Sequence, residues 1–201
     1  MKLSWGALMV AAIGTAQTYD VVIANGRVMD PASGLDAVRH VGIRGKAVAA
    51  ISESPLSGRT AIDARGLVVA PGFIDLHAHG QDDENHRYQA RDGVTTALEL
   101  EVGVSPVAEG YKRQAGRALI HYGATVGHIP ARMAVLGDSG KLLPRDTAVS
   151  QKAMAADQKA MEELVRRGLD EGALGLGLGI TYVPAATRQE VLSLFRIAGE
   201  R

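Results

Sequence analysis

From residue 73 onward, short apolar stretches alternate with amphipathic ones, and this alternation restricts the fold more than any other feature of the chain. The pattern predicts a strand at 73–78, a helix at 84–92, a strand at 95–102 and a helix at 106–122. A strand at 123–128 follows, then an irregular stretch to 146, a helix at 148–171, a strand at 173–180 and a last helix from Thr187 into the C-terminus. Strands and helices in this rhythm build parallel βαβ units. Local signals agree with it. Ser105-Pro106 supplies an N-cap and a proline at the first helical position, and Gly172 a C-cap. Asp157, Lys159, Glu162 and Glu163 mark the wet side of the long helix. Thr187 with Glu190 three residues on forms a capping box. Glycines alternate with apolar side chains over 173–180, which suits a strand whose one face admits close approach.

These are four βα units, where a closed (β/α)₈ barrel needs eight and about 250 residues. Roughly 130 residues follow the unit that precedes them. The expectation is α/β architecture: the first half of a barrel, residues 71–201, belonging to a longer protein, with two sheet edges in need of cover.

Residues 17–70 read differently, as short strands separated by turn signals. Tyr19 to Gly26 is a strand closing on an Asn25-Gly26 turn, and Gly45-Lys46 turns a hairpin between Ala37–Arg44 and Ala47–Ile51. Ahead of them, Lys2, the apolar run from Trp5 to Ile13 and the small residues Gly14-Thr15-Ala16 have the layout of a signal peptide, residues 1–16. That layout predicts cleavage near Ala16 and a periplasmic or secreted protein; the alternative is the frayed N-terminus of a cytosolic one. No apolar run approaches the ~20 residues of a membrane span.

The 22 basic residues balance the 22 acidic ones, which argues against a nucleic-acid footprint. There is no cysteine, so a metal site has only nitrogen and oxygen donors. The donors stand out at two places. His77 and His79 follow the apolar run Phe73–Leu76 at i, i+2 spacing, which on a strand places both imidazoles on one face. Two imidazoles do not complete a catalytic zinc site, which takes three protein ligands and an open position. In the next strand, alternation sets Ala97, Glu99 and Glu101 on one face and Leu98, Leu100 and Val102 on the other. With the apolar set against the surrounding helices, both glutamates face inward; the alternative is a solvent-facing strand with salt-bridged carboxylates.

The run from Ala61-Ile62-Asp63-Ala64-Arg65-Gly66 through Pro71-Gly72-Phe73-Ile74-Asp75-Leu76-His77-Ala78-His79 resembles the barrel entry of the amidohydrolase superfamily. Asp92-Gly93-Val94-Thr95-Thr96 with its ligand-bearing strand, and Glu171–Pro184 leading to a tyrosine-proline loop, resemble the N-acyl-D-amino-acid deacylase branch. The resemblance implies a small β-sandwich from residues 17–70, a barrel with metal at its C-terminal mouth, and hydrolysis of the amide of an N-acyl amino acid. It implies a divalent metal, most simply zinc as one or two ions, on His77 and His79. Where the branch places a cysteine, Glu101 is the substitute ligand, with Glu99 one step deeper. His128, Arg132 and Tyr182 fall at strand ends where substrate binds. His128 is equally a buried structural histidine, Arg132 a loop ion pair and Tyr182 a packed ring. His40, His86 and His121 go to structure or solvent. The family draws two further histidine ligands and a proton-transferring aspartate from later strands, so no catalytic group is assigned within these residues and the chain alone is expected to be inactive. Hydantoinases and dihydroorotases use a barrel lysine, and none lies in the four strands. A cyclic amidase or dipeptidase on the same fold, or a fragment without independent function, are the alternatives.

Overall fold

The computed structural model describes residues 18–201. The expected signal segment therefore lies outside the described residues. Two compact units meet at the Pro71–Gly72 bond.

The first unit is one mixed five-stranded sheet. β1 (Thr18–Asp30) pairs antiparallel with β2 (Leu35–Arg44), and β2 with β3 (Ala47–Ser52), around the expected Gly45-Lys46 turn. β4 (Ser57–Asp63) and β5 (Val68–Val69) both run parallel to β1. Among the described residues this unit holds this one sheet. The Asn25-Gly26 turn is a correction. β1 runs straight through it, and Ile23 to Gly26 spans three steps against two on β2, from Val41 to Arg39. Asn25 takes up the extra residue as a bulge at φ +64°, a conformation asparagine tolerates better than most residues, and donates to Asp63 Oδ1 at 3.1 Å. A Cβ on Gly26 would run into Val69, which is how β5 comes so close.

The second unit is a parallel sheet in chain order: β6 (Phe73–Asp75), β7 (Val94–Val104), β8 (His121–Gly127) and β9 (Leu176–Gly177). The helices are α1 (Asp83–Arg91), α2 (Val107–Gln114), α3 (His128–Leu136), α4 (Thr147–Ser150), α5 (Ala155–Asp170) and α6 (Arg188–Gly199). Val107 of α2, Val126 of β8, Met161 and Val165 of α5, and Leu194 and Ile197 of α6 form one core cluster. Val102, Ile129, Met133, Ala148 and Val183 form another.

Several elements differ from the sequence reading. α2 stops at Gln114 because Gly116 turns left-handed at φ +72°. The stretch expected to be irregular holds α3. Pro130 hid it, yet it sits in the first turn, where a missing N–H costs no helical hydrogen bond. The helix expected over 148–171 is two pieces, α4 and α5, and the carbonyls of Ala148 and Gln151 at their junction accept from Arg132 instead. β9 shrinks to two residues after Gly175, at φ +153°. The expected cap of α2 is a correction, since Pro106 itself stands at the N-cap and makes no side-chain hydrogen bond, while those at Thr187 and Gly172 hold. Asp82 accepts from the backbone of Glu84 and Asn85, Thr187 from Glu190, and Gly172 closes α5 at φ +97°.

Candidate metal centre

β6 ends two residues before the first histidine. The carboxylate of Asp75 accepts from the His77 backbone N–H at 2.9 Å and bends the chain out of the strand. Ala78 stays against β7 through a bond from its N–H to the Leu98 carbonyl at 3.1 Å. His77 and His79 therefore converge from a turn and not from one face of a regular strand, their rings 4.7 Å apart at 79°.

β7 also departs from strict alternation. Up to Glu99 it is in register with β8, Leu98 opposite Gly123 and Glu99 opposite Ala124. The next pair is Val104 with Val126, five residues of β7 against two of β8. The excess forms a bulge that includes Gly103 at φ +68°, whose missing Cβ would lie 2.6 Å from the Gly127 Cα. Ala124 and Val126 belong to the face that carries α2 and α5, and paired parallel residues share a face. Glu99 thus points toward α2, lining a small cavity of about 180 Å³ with Tyr111, Tyr122 and Gln114. Leu98 lies on the other side, where a Cβ on Gly123 would meet it at 3.0 Å. Glu99 is the last residue in register before the bulge and Glu101 lies within it, so the alternation expected to set both on one face does not carry through.

Glu101 nevertheless reaches the histidines. Its Oε2 is 3.5 Å from His77 Nε2 and 3.3 Å from His79 Nε2, and the two nitrogens are 3.1 Å apart. A tetrahedral zinc holds nitrogen and oxygen donors at about 2.0–2.1 Å, which puts them about 3.3–3.4 Å from one another. The three separations bracket that value, so the donor set fits one ion. Glu99 is not part of it. Its carboxylate sits on the opposite nitrogen of His79, Nδ1, at 3.0 and 2.9 Å, which corrects the expectation that it is a ligand. Its hydrogen bond holds the His79 pKa above the ordinary 6.5, against the opposing effect of burial and with the charges of Glu99 and Glu101 adding to it.

The structure places the substrate-binding candidates elsewhere. His128 and Arg132 open α3 and are completely buried. Arg132 donates from Nη1 to both oxygens of Glu190 at 2.6 Å and from Nε to the Ala148 carbonyl at 2.9 Å, while His128 Nε2 lies 2.7 Å from Glu190 Oε1. Arg132 is thus held by Glu190 and two backbone carbonyls, Ala148 and Gln151, and His128 by Glu190, both away from solvent. Glu190 was legible only as a capping residue. Its backbone does bond to Thr187, but its side chain turns inward. Tyr182 closes a 3₁₀ turn (Ile180–Tyr182), 39% exposed, with its ring over Gly179. Among the described residues no hydrogen bond links it to the histidine cluster. His86 is buried with neither ring nitrogen paired, His40 has a buried unpaired Nδ1, and His121 is exposed.

Comparison with known proteins gives the family. The model of the amidohydrolase family matches residues 60–198. The chain is 30% identical over 217 residues to a D-aminoacylase of Alcaligenes xylosoxydans xylosoxydans, covering 90% of this chain and 42% of that protein. It is 30% identical over 219 residues to an N-acyl-D-glutamate deacylase of the same organism, with coverage of 92% and 42%. Among solved structures, the N-acyl-D-glutamate deacylase of Bordetella bronchiseptica, complexed with zinc and a phosphonate mimic of the tetrahedral intermediate, superimposes with a TM-score of 0.76 at 28% identity, over 92% of this chain and 44% of that one. The chain thus spans less than half the length of these relatives. From its histidine pair to its last helix, this chain belongs to the amidohydrolase family.

Proposed function

We propose that these residues form the first metal-binding segment of a zinc-dependent N-acyl-D-amino-acid deacylase. The parallel sheet would be part of a (β/α)₈ barrel, and the remaining ligands and the proton-transferring group would come from strands outside this segment. The observation that carries the reading is the convergence of His77 Nε2, His79 Nε2 and Glu101 Oε2 at the separations of one tetrahedral ion. A bound zinc would polarise the scissile carbonyl and lower the pKa of a water toward 7. In this chain His77 and His79 present neutral nitrogens, Glu101 brings the one negative charge in the donor set, and Asp75 fixes the turn that aims His77. Both Alcaligenes relatives act on D-configured substrates, as their names state, and that supports the substrate class. Export, with cleavage after Ala16, belongs to the same proposal; an intact Met1 in the native protein would refute that part.

The test has two arms. Zinc titration of the chain should show one strong site that H77A and E101A each abolish. A protein carrying this segment together with the further barrel strands should release free amino acid from N-acetyl-D-glutamate, N-acetyl-D-aspartate or N-acetyl-D-leucine in a zinc-dependent way. Turnover of hydantoin or dihydroorotate in preference to all three would overturn the substrate assignment.

A further inference from the structure

The carboxylate of Glu99 is almost enclosed, its side chain 7% exposed, and it spends its acceptors locally. Both oxygens face His79 Nδ1, at 3.0 and 2.9 Å, and Oε1 also accepts from the Gly103 backbone N–H at 3.4 Å. An ionised carboxylate only accepts, so the imidazole must carry its proton on Nδ1. In the neutral ring that leaves the lone pair on Nε2, the atom that faces His77 and Glu101. His77 has no such partner. Its ring is exposed, and among the described residues none hydrogen-bonds its Nδ1. The two histidines are therefore held differently, one by a buried carboxylate and one only by the turn at Asp75.

We infer that Glu99 is a positioning residue that selects the Nε2-donor tautomer of His79 and so prepares the metal site without touching the ion. The inference rests on the metal-site reading above and adds to it a residue outside the donor set. Groups in this position ordinarily change metal affinity by about 10–100-fold when removed. The Gly103 N–H, from which the same carboxylate accepts, lies on the far side of Glu101 in the bulge.

The test uses the 201-residue chain as wild type and as E99A, E99Q and E101A. Zinc affinity is measured by competition with a chromophoric chelator, and the His79 tautomer by ¹⁵N NMR of the metal-free imidazole at a pH where it is neutral. E99A should bind one zinc about 10–100-fold more weakly, with the tautomer preference of His79 lost. E99Q, which keeps an acceptor at Nδ1, should retain the tautomer and recover part of the affinity. E101A should lose zinc while leaving the tautomer intact. Wild-type affinity in E99A would overturn the inference, and so would an unchanged tautomer. Loss of zinc in E99A as complete as in E101A would mark Glu99 as a ligand and overturn it as well. Should the wild type bind no zinc, the metal-site reading falls, and the tautomer comparison alone still decides whether Glu99 sets His79. If E99A does not fold, E99Q against wild type decides it: loss of the Nδ1–H tautomer with Gln would refute the inference.

Discussion

Arg132 donates to both carboxylate oxygens of Glu190 at 2.6 Å, and neither side chain reaches solvent. The pair joins α3 to α6, and the remaining donors of Arg132 tie the junction of α4 and α5 to the same point. Removing one partner of such a pair strands the other charge in the core, a loss of roughly 3–5 kcal/mol. R132M should therefore lower the urea midpoint, with a loss of stability of about 3–5 kcal/mol. The double variant R132M/E190L should be more stable than R132M alone, since it buries no lone charge. A single variant R132M within ~0.5 kcal/mol of wild type would place the pair among surface ion pairs in effect, contrary to its burial.

Glu190 also makes a pH prediction. Burial pushes its pKa up, but the hydrogen bonds from His128 and Arg132, together with their charges, outweigh that and leave it below the ordinary 4.5. A lowered carboxylate contributes its stability in full above its unfolded value and loses it as pH falls through the folded one. Stability measured from pH 7 down to pH 3 should therefore fall below about pH 4.5 in wild type, and fall less steeply in E190Q. Parallel acid limbs for the two proteins would assign the loss to other carboxylates, among them Asp138, which four backbone N–H groups hold far below its ordinary value against the effect of burial.

Gly103 is a close approach of the bulge to β8. A side chain there would need φ +68° and would meet the Gly127 backbone at 2.6–2.7 Å. G103A should destabilise the chain by about 1–3 kcal/mol and weaken zinc binding together with stability. By contrast, Gly116, also left-handed but with open space around it, should tolerate alanine at a smaller cost. Equal losses at the two positions, read by thermal melts, would remove the bulge from the account of the site.

The isolated 201-residue chain should bind zinc yet hydrolyse no N-acyl-D-amino acid above a metal-only background. Among the described residues, the other carboxylates bonded to this cluster are Glu99, engaged by His79, and Asp75, engaged by the His77 backbone N–H. Absence of a general acid–base group alone costs about 10²–10⁴ in rate. Robust zinc-dependent turnover by the monomeric chain would show that these residues contain a proton-transfer group that the geometry does not reveal.

The sequence showed what depends on local chemistry. The βα rhythm and the caps at Thr187 and Gly172 are set by neighbouring residues. It did not show what depends on partners far along the chain. Period-two alternation assumes an uninterrupted ladder, and the bulge in β7 interrupts it after Glu99, so alternation fixes no face beyond that residue. Arg132 and His128 looked like site residues because they follow a strand end. Glu190, about sixty residues later, decides that they are core. Asp75 likewise ends β6 sooner than its apolar run suggested, since its own side chain captures the next backbone N–H but one.

The bulge in β7 has a consequence for how the site can change. In an even strand, two glutamates at i and i+2 share one set of neighbours, and altering one disturbs the other. Here the extra residues give Glu99 the company of α2 and a ring nitrogen, and leave Glu101 half-open beside the two Nε2 atoms. The donor can be exchanged for a softer or harder one while the group that holds the histidine stays as it is. Metal preference and histidine alignment are thus separately adjustable within three consecutive residues.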